Sequence, residues 1–459
     1  MELRKVLSGG KRDRDMTEGG IAGHLLAFMI PLLLGNVFQQ LYNMVDTWVV
    51  GNFVSNEAFS AVGTLNPVIN MLIGTFIGLS AGAGVVISQY YGAGEHENVS
   101  RAAHTAVVMT AFLTVVLSLL GVAMTPLMLR LMKVPAEVYP EAKAYLTIYF
   151  SGLIGLLFYN MGAGIMRAVG DSRRPFYYLV VCALMNTVLD LVFVIVFHWG
   201  VKGVAIATIL SQFVSATLTV SSLVRAESCV KIVPRLLRCH CQILKRIVVI
   251  GLPAAMQMAI TSFSNVFVQS YINQFGADCM GGWTAYLKLD ALLMLPIQSL
   301  ALTVTTFVGQ NIGKGQQERA RKGVRTAFLM SLAITVAIGA VLVAFAPAFI
   351  AFFNRKPEVV ANGTLFLRWL TPFYVICCFN QTYSSALRGA GHSTATMIIM
   401  LSSFVLFRQI YLYVMSHYIS NTMLAIGLGY PAGWFVCSLI TLIYFRRADL
   451  TRTRITERT

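Results

Sequence analysis

Apolar residues run along the chain in stretches of about 20 or more, the length that crosses ~30 Å of hydrocarbon, with short polar or glycine-bearing breaks between them. Read in windows of ~19 residues, the pattern predicts an all-α integral membrane protein with twelve transmembrane helices. They are centred near residues 35, 74, 116, 154, 187, 212, 259, 296, 338, 376, 406 and 433. An even count puts both termini on one side. Lys and Arg gather in the segments that share that side: the N-terminal tail, the central stretch from Arg225 to Arg246, the loop from Lys314 to Arg325, and the C-terminal tail. The positive-inside rule makes that side the cytoplasm. No cleavable leader is expected, because the charged start runs straight into a full-length span.

The pattern also repeats. At a shift of 221 residues, Gln89, Gly92 and Gly94 fall on Gln310, Gly313 and Gly315, while Arg167, Gly170 and Ser172 fall on Arg388, Gly391 and Ser393. A shift of 222 sets Leu252-Pro253 beside Ile30-Pro31. Six spans have been duplicated, and six is even, so the copies enter from the same side as parallel repeats. The expected organisation is an N-terminal six-helix lobe over 1–224, a cytoplasmic linker over 225–246 and a C-terminal six-helix lobe over 247–459. Such duplication suits alternating access around a substrate site.

Composition narrows the function. Of 459 residues, 57% are hydrophobic and 12% charged, against about 25% charged in soluble domains, which excludes a soluble enzyme or nucleic-acid module. The net charge of +16 is accounted for by topology and anionic lipid, so no nucleic-acid partner is expected. Cys182, Cys377, Cys378 and Cys437 lie in spans, as small packing residues do. Cys239-His240-Cys241 lacks the spacing of a zinc site. No cofactor motif is visible, and no metal is expected beyond a coupling Na⁺.

Polar residues inside spans carry the candidate chemistry. A carboxylate at the centre of a span costs ~2.5–3.5 kcal/mol on insertion scales, so Asp46 marks a functional site by default. Asn36, Gln39, Asn43 and Asp46 recur at helical spacing as a polar stripe, and Pro31 in the same span offers a bend. Asn186 and Asp190 share a face of the fifth span, and the sixth adds Thr208, Ser211, Gln212 and Ser215 in the same rhythm. These oxygens suit a cage for a hard cation or a carboxylate pair that shares a proton. In the second repeat the stripe becomes Met258, Thr261, Asn265 and Val268, while Asn186 and Asp190 become Phe407 and Tyr411. Ion coupling is therefore expected in the N-terminal lobe alone. The C-terminal lobe instead places Arg408 within its eleventh span, and Lys288 and Asp290 in its eighth. The aromatic load of 11% and 21 methionines suit an apolar cavity wall. Phe38, Tyr42, Tyr159, Gln257, Thr261, Phe263, Phe267 and Arg408 are the candidate cavity residues.

These pieces resemble the multidrug and toxic compound extrusion (MATE) family, in its bacterial DinF-like branch. The resemblance rests on Pro31 followed by Asp46 and Gly51, on Gln89…Gly92-Ala93-Gly94 with its copy Gln310…Gly313-Lys314-Gly315, and on the turns Arg167-Ala168-Val169-Gly170-Asp171 and Arg388-Gly389-Ala390-Gly391-His392. It implies a V-shaped pair of six-helix lobes in the bacterial cytoplasmic membrane that exports organic, often cationic and aromatic compounds in exchange for H⁺ or Na⁺. The implied ion site maps onto Asp46, Asn186, Asp190 and Thr208. Other branches place an acidic residue in the seventh span, where this chain has Gln257 and Thr261. A cavity within two fused lobes is complete in a monomer. A lipid-linked precursor flippase would call for several intramembrane arginines, whereas Arg408 alone lies clearly within a span. A membrane enzyme would need a catalytic grouping that the spans lack.

Overall fold

The computed structural model describes residues 14–54, 56–132, 134–450 and 455, apart from the side chains at 46–48, 50–52, 56–68, 70–72 and 131. The described residues form helices in the order α1 (Ile21–Phe53), α2 (Asn56–Gly92), α3 (His96–Leu131), α4 (Tyr139–Ser151), α5 (Leu153–Ala168), α6 (Arg173–Leu191) and α7 (Gly200–Val224). Then come α8 (Cys241–Asn273), α9 (Ala277–Gly313), α10 (Gln317–Ala344), α11 (Ala346–Phe353), α12 (Pro357–Leu370), α13 (Tyr374–Gly389), α14 (Ser393–Leu401), α15 (Arg408–Val414), α16 (Met423–Gly427) and α17 (Gly429–Arg447). Among the described residues, 11 helices are long and apolar enough to cross a membrane, or up to 12 when α4 and α5, bent by 46°, count as one span. Helices answer the apolar runs because lipid offers no partner for an unpaired backbone group.

Both copies of the repeat stop their helices in the same way. Gly94 (φ 74°) and Gly315 (φ 80°) adopt the left-handed conformation after α2 and α9, and Gly170 (φ 89°) and Gly391 (φ 94°) do so after α5 and α13. Their amides donate back to Tyr91, Ile312, Arg167 and Arg388 carbonyls at 2.9–3.0 Å, closing the helix ends as only a residue without Cβ does cheaply. Arg167 and Arg388 belong to the last turns of α5 and α13 rather than to the loops beyond them.

The chain forms two compact units, one of Met1–Asp15 and Ile30–Leu252, the other of Met16–Met29 and Pro253–Thr459. These divisions fall elsewhere than residues 224 and 247, because the starts of α1 and α8 are exchanged. The breaks lie beside Pro31 and at Pro253, where proline removes a ladder hydrogen bond. In the second unit Met16 is fully buried. Its amide donates to Gln310 Oε1 at 2.9 Å, and its carbonyl accepts from Arg319 Nη2 at 3.2 Å. Lys314 Nζ reaches Thr17 Oγ1 at 2.9 Å and Glu18 Oε1 at 2.8 Å. In the first unit the segment that leads into α8 is held by the corresponding region: the Val233 amide donates to His104 Nε2 at 3.0 Å, the His240 amide to Thr105 Oγ1 at 3.2 Å, and Arg246 Nη1 to the Tyr90 hydroxyl. Residues in the repeated exit motif and in the helix after it thus hold the segment of chain that leads into the other repeat.

Within the first unit, small residues bring helix backbones together. A Cβ on Gly82 of α2 would lie 2.5 Å from Gly251 Cα of α8, and one on Gly155 of α5 would lie 2.7 Å from Phe213 N of α7. The second unit is centred on the aromatic cluster of Trp283, Tyr286, Phe366, Tyr374 and Trp434. Tyr286 and Tyr374 hydroxyls meet at 3.3 Å. At its rim Lys356 Nζ bonds Asp278 Oδ1 at 2.6 Å, which holds the ammonium pKa above its ordinary value.

Candidate functional site

In the first unit, α6 carries Asn186 and Asp190 four residues apart on one face, and both are fully buried. Thr208 on α7 is buried too, its hydroxyl donating to the Val204 carbonyl at 3.0 Å. Ser211 donates to the Thr208 carbonyl at 2.9 Å, and Ser215 to the Gln212 carbonyl at 2.8 Å. Each of these hydroxyls satisfies its proton within its own helix, which leaves oxygen lone pairs for another partner.

The first helix joins them through apolar contacts. Val45 and Val49, on either side of Asp46 in sequence, belong to a cluster with Leu191, Val194 and Val204. Leu191 follows Asp190 and Val204 precedes Thr208 by one turn, so α1, α6 and α7 meet at the depth of these residues. Asp46 lies within α1, and its side chain is outside the described residues. Just past Asp190 the helix widens into a π-turn at Val192–Val196, a feature common at functional positions.

The rest of the stripe lines α1 unevenly. Pro31, Asn36, Phe38 and Tyr42 are half-buried, while Gln39 and Asn43 are exposed. The Phe38 ring lies 6.1 Å from that of Phe176. Tyr159 donates its hydroxyl to the Pro175 carbonyl at 3.1 Å, which ties it to the start of α6.

In the second unit, Gln257 is buried, Thr261 half-buried, and Phe263 and Phe267 exposed along α8. The two phenylalanine rings meet edge to face at 5.3 Å. Arg408 is buried, at 2% exposure. Its Nη2 donates to Ser264 Oγ and Asn265 Oδ1, each at 2.8 Å, and its guanidinium lies 4.9 Å from the centre of the Tyr430 ring. Gln409 Nε2 also donates to Ser264 Oγ, at 2.9 Å. Ser264 was not singled out in the sequence, although its neighbour Asn265 is the surviving member of the stripe. Lys288 is exposed and Asp290 half-buried on α9. Among the described residues no group of three or more His, Cys, Asp or Glu is placed to hold a metal ion.

Duplicated six-span bundles with ionisable and amide groups buried at mid-helix are the build of a membrane transporter. The comparisons agree. The MatE family profile matches residues 31–192 and again 253–414, beginning at Pro31 and at its copy Pro253. The chain is 27% identical to the probable multidrug resistance protein YpnP of Bacillus subtilis over 432 residues, covering 94% of this chain and 96% of the relative. It is 28% identical to the probable multidrug resistance protein NorM of Thermotoga maritima, covering 95% and 96%. A solved outward-facing multidrug resistance MATE transporter of the MOP superfamily superposes with a TM-score of 0.90 at 24% identity, over 98% of this chain and 100% of that one. The chain belongs to the MatE (multidrug and toxic compound extrusion) family. It is a multi-pass membrane transporter and not an enzyme.

Proposed function

We propose that this protein is a multidrug efflux antiporter that exports organic, often cationic and aromatic compounds in exchange for H⁺ or Na⁺ by alternating access. It works as a monomer in the bacterial cytoplasmic membrane with both termini in the cytoplasm. The observation that carries this reading is the complete burial of Asp190 beside Asn186, on a helix that meets α1 and α7. A buried carboxylate is costly while charged, and a bound Na⁺ or proton relieves that cost. Asp46 and Asp190 are the coupling carboxylates, with Asn186 and Thr208 supplying neutral oxygens. Ion entry from outside cancels the carboxylate attraction for a bound organic cation and changes how α1 packs near Pro31, and drug leaves outward. The membrane potential adds ~2.3 kcal/mol per charge per 100 mV to inward cation movement, enough to concentrate exported drug severalfold.

The test is efflux of a fluorescent organic cation from proteoliposomes under a Na⁺ gradient or a pH gradient, applied separately, for the wild type, Asp46→Asn and Asp190→Asn. One gradient should drive transport, and both substitutions should abolish it in folded protein. Normal pumping by both variants would make the carboxylates structural.

A further inference from the structure

We infer that the second unit holds a recognition site for an organic acid, in which Arg408 receives the carboxylate of an aromatic substrate. The inference rests on the transport reading and names a substrate class for it. Its first basis is position. Arg408 bridges α15 to α8 through Ser264 and Asn265, and at a shift of 221 or 222 these helices are the copies of α6 and α1, which carry the carboxylates of the first unit. Asn265 corresponds to Asn43, and Arg408 follows Phe407, the copy of Asn186. The same corner of the repeat therefore presents carboxylates in one unit and a guanidinium in the other.

The second basis is incomplete compensation. Both Nη2 bonds go to neutral acceptors, and among the described residues no carboxylate lies within ion-pair distance of Arg408. Its Nε is buried without a hydrogen-bond partner. The guanidinium's further contact is the neutral Tyr430 ring, 4.9 Å away. Intramembrane ionisable residues pair with one another or with backbone carbonyls and mark substrate pathways, and a planar guanidinium matches a carboxylate in two-pronged geometry.

The third basis is access. Asn265, which shares the guanidinium, is exposed, and Phe267, also exposed, lies three residues on from Ser264, the other acceptor, on the adjoining face of α8, so an apolar ring stands one turn from the held end of Arg408. Arg408 also stands between two π-turns, Ser402–Phe407 and Met415–Ile419, a rare form that is frequent at functional sites. The first repeat has its π-turn on one side only of the corresponding helix. The acid group could come from a dissolved organic anion or from a lipid headgroup, and the site is assigned to the former.

The test uses a xanthene dye with a free carboxylate and its methyl ester, with binding to purified, detergent-solubilised protein followed by fluorescence anisotropy. Wild type should favour the acid, and Arg408→Gln should lower the acid-to-ester affinity ratio about tenfold or more, as loss of a charge-assisted bond does. Arg408→Lys, which keeps the charge, should recover part of that ratio. Size-exclusion profiles identify variants that still fold. Equal wild-type affinity for acid and ester, or an unchanged ratio in Arg408→Gln, overturns the proposal. Displacement of the acid dye by phosphatidylglycerol but not by benzoate also overturns it, because the site would then belong to a headgroup. Since binding is read without a gradient, failure of the antiport reading leaves this outcome separate.

Discussion

The two repeats bury opposite chemistry at the same corner, a carboxylate in one and a guanidinium in the other, and the difference shows how far copies of one bundle can diverge. Where α1, α6 and α7 meet, the first unit buries Asn186, Asp190 and Thr208. The second unit has Phe407, Tyr411 and Gly429 at those places, and Arg408, one residue on, is held by Ser264 and Asn265. Tyr411 uses its hydroxyl on the Ala425 carbonyl at 3.1 Å, so the copy of a buried carboxylate has become a helix tie. A backbone that tolerates either solution supplies the place, and the side chains decide which chemistry is buried there.

The sharpest way to break this contrast is to neutralise one copy and leave the other. Asp190→Asn should lower gradient-driven efflux at least about tenfold, a loss of ~1.4 kcal/mol or more of coupling, while Tyr411→Phe keeps the rate within about twofold. Initial rates in proteoliposomes decide it, and equal loss in both would mean that the two corners do not differ in role.

Packing differs between the copies as well. Gly82→Val would force a side chain against the Gly251 backbone, and overpacking of this kind costs about 1–3 kcal/mol. Its counterpart Thr303 already carries a side chain, which bonds the Ser299 carbonyl at 2.8 Å. Thr303→Val should cost only ~0.6 kcal/mol. Thermal unfolding in detergent should rank the two variants in that order.

Gln310→Ala should leave the buried Met16 amide without its acceptor, at about 1–3 kcal/mol. Hydrogen exchange at residues 16–20 should quicken in this variant and stay unchanged in Thr105→Val, whose partner is the His240 amide of the first unit.

A last pair, for which no difference is expected, tests sameness. Gly94→Ala and Gly315→Ala place Cβ on left-handed residues at a cost of about 1–2 kcal/mol, and the two should lower the melting temperature equally. A large disparity would show that the turns are not equivalent despite their matching φ angles.

Much of this was legible in the order of residues. Twelve apolar runs with glycine-ended breaks specify helices that span and stop, because lipid demands internal hydrogen bonding and left-handed turns favour glycine. The self-match at 221 residues foretold paired turns at Gly94 and Gly315 and at Gly170 and Gly391. Asp190 and Arg408 stood out within apolar runs for the same reason, since hydrocarbon makes any charge conspicuous. The exchange of helix starts was not visible. That Met16 is held by Gln310, and Arg246 by Tyr90, depends on partners 294 and 156 residues apart, and local periodicity carries no such information. Nor could spacing show that Tyr159 is tied to Pro175 or that Ser264 underlies Arg408. Hydrophobic pattern and turn chemistry act within a few residues, so the sequence by itself determined the apolar spans, the glycine turns that end them and the repeat. Which buried groups meet depends on how helices far apart in the chain pack side by side, and only the tertiary structure decided that.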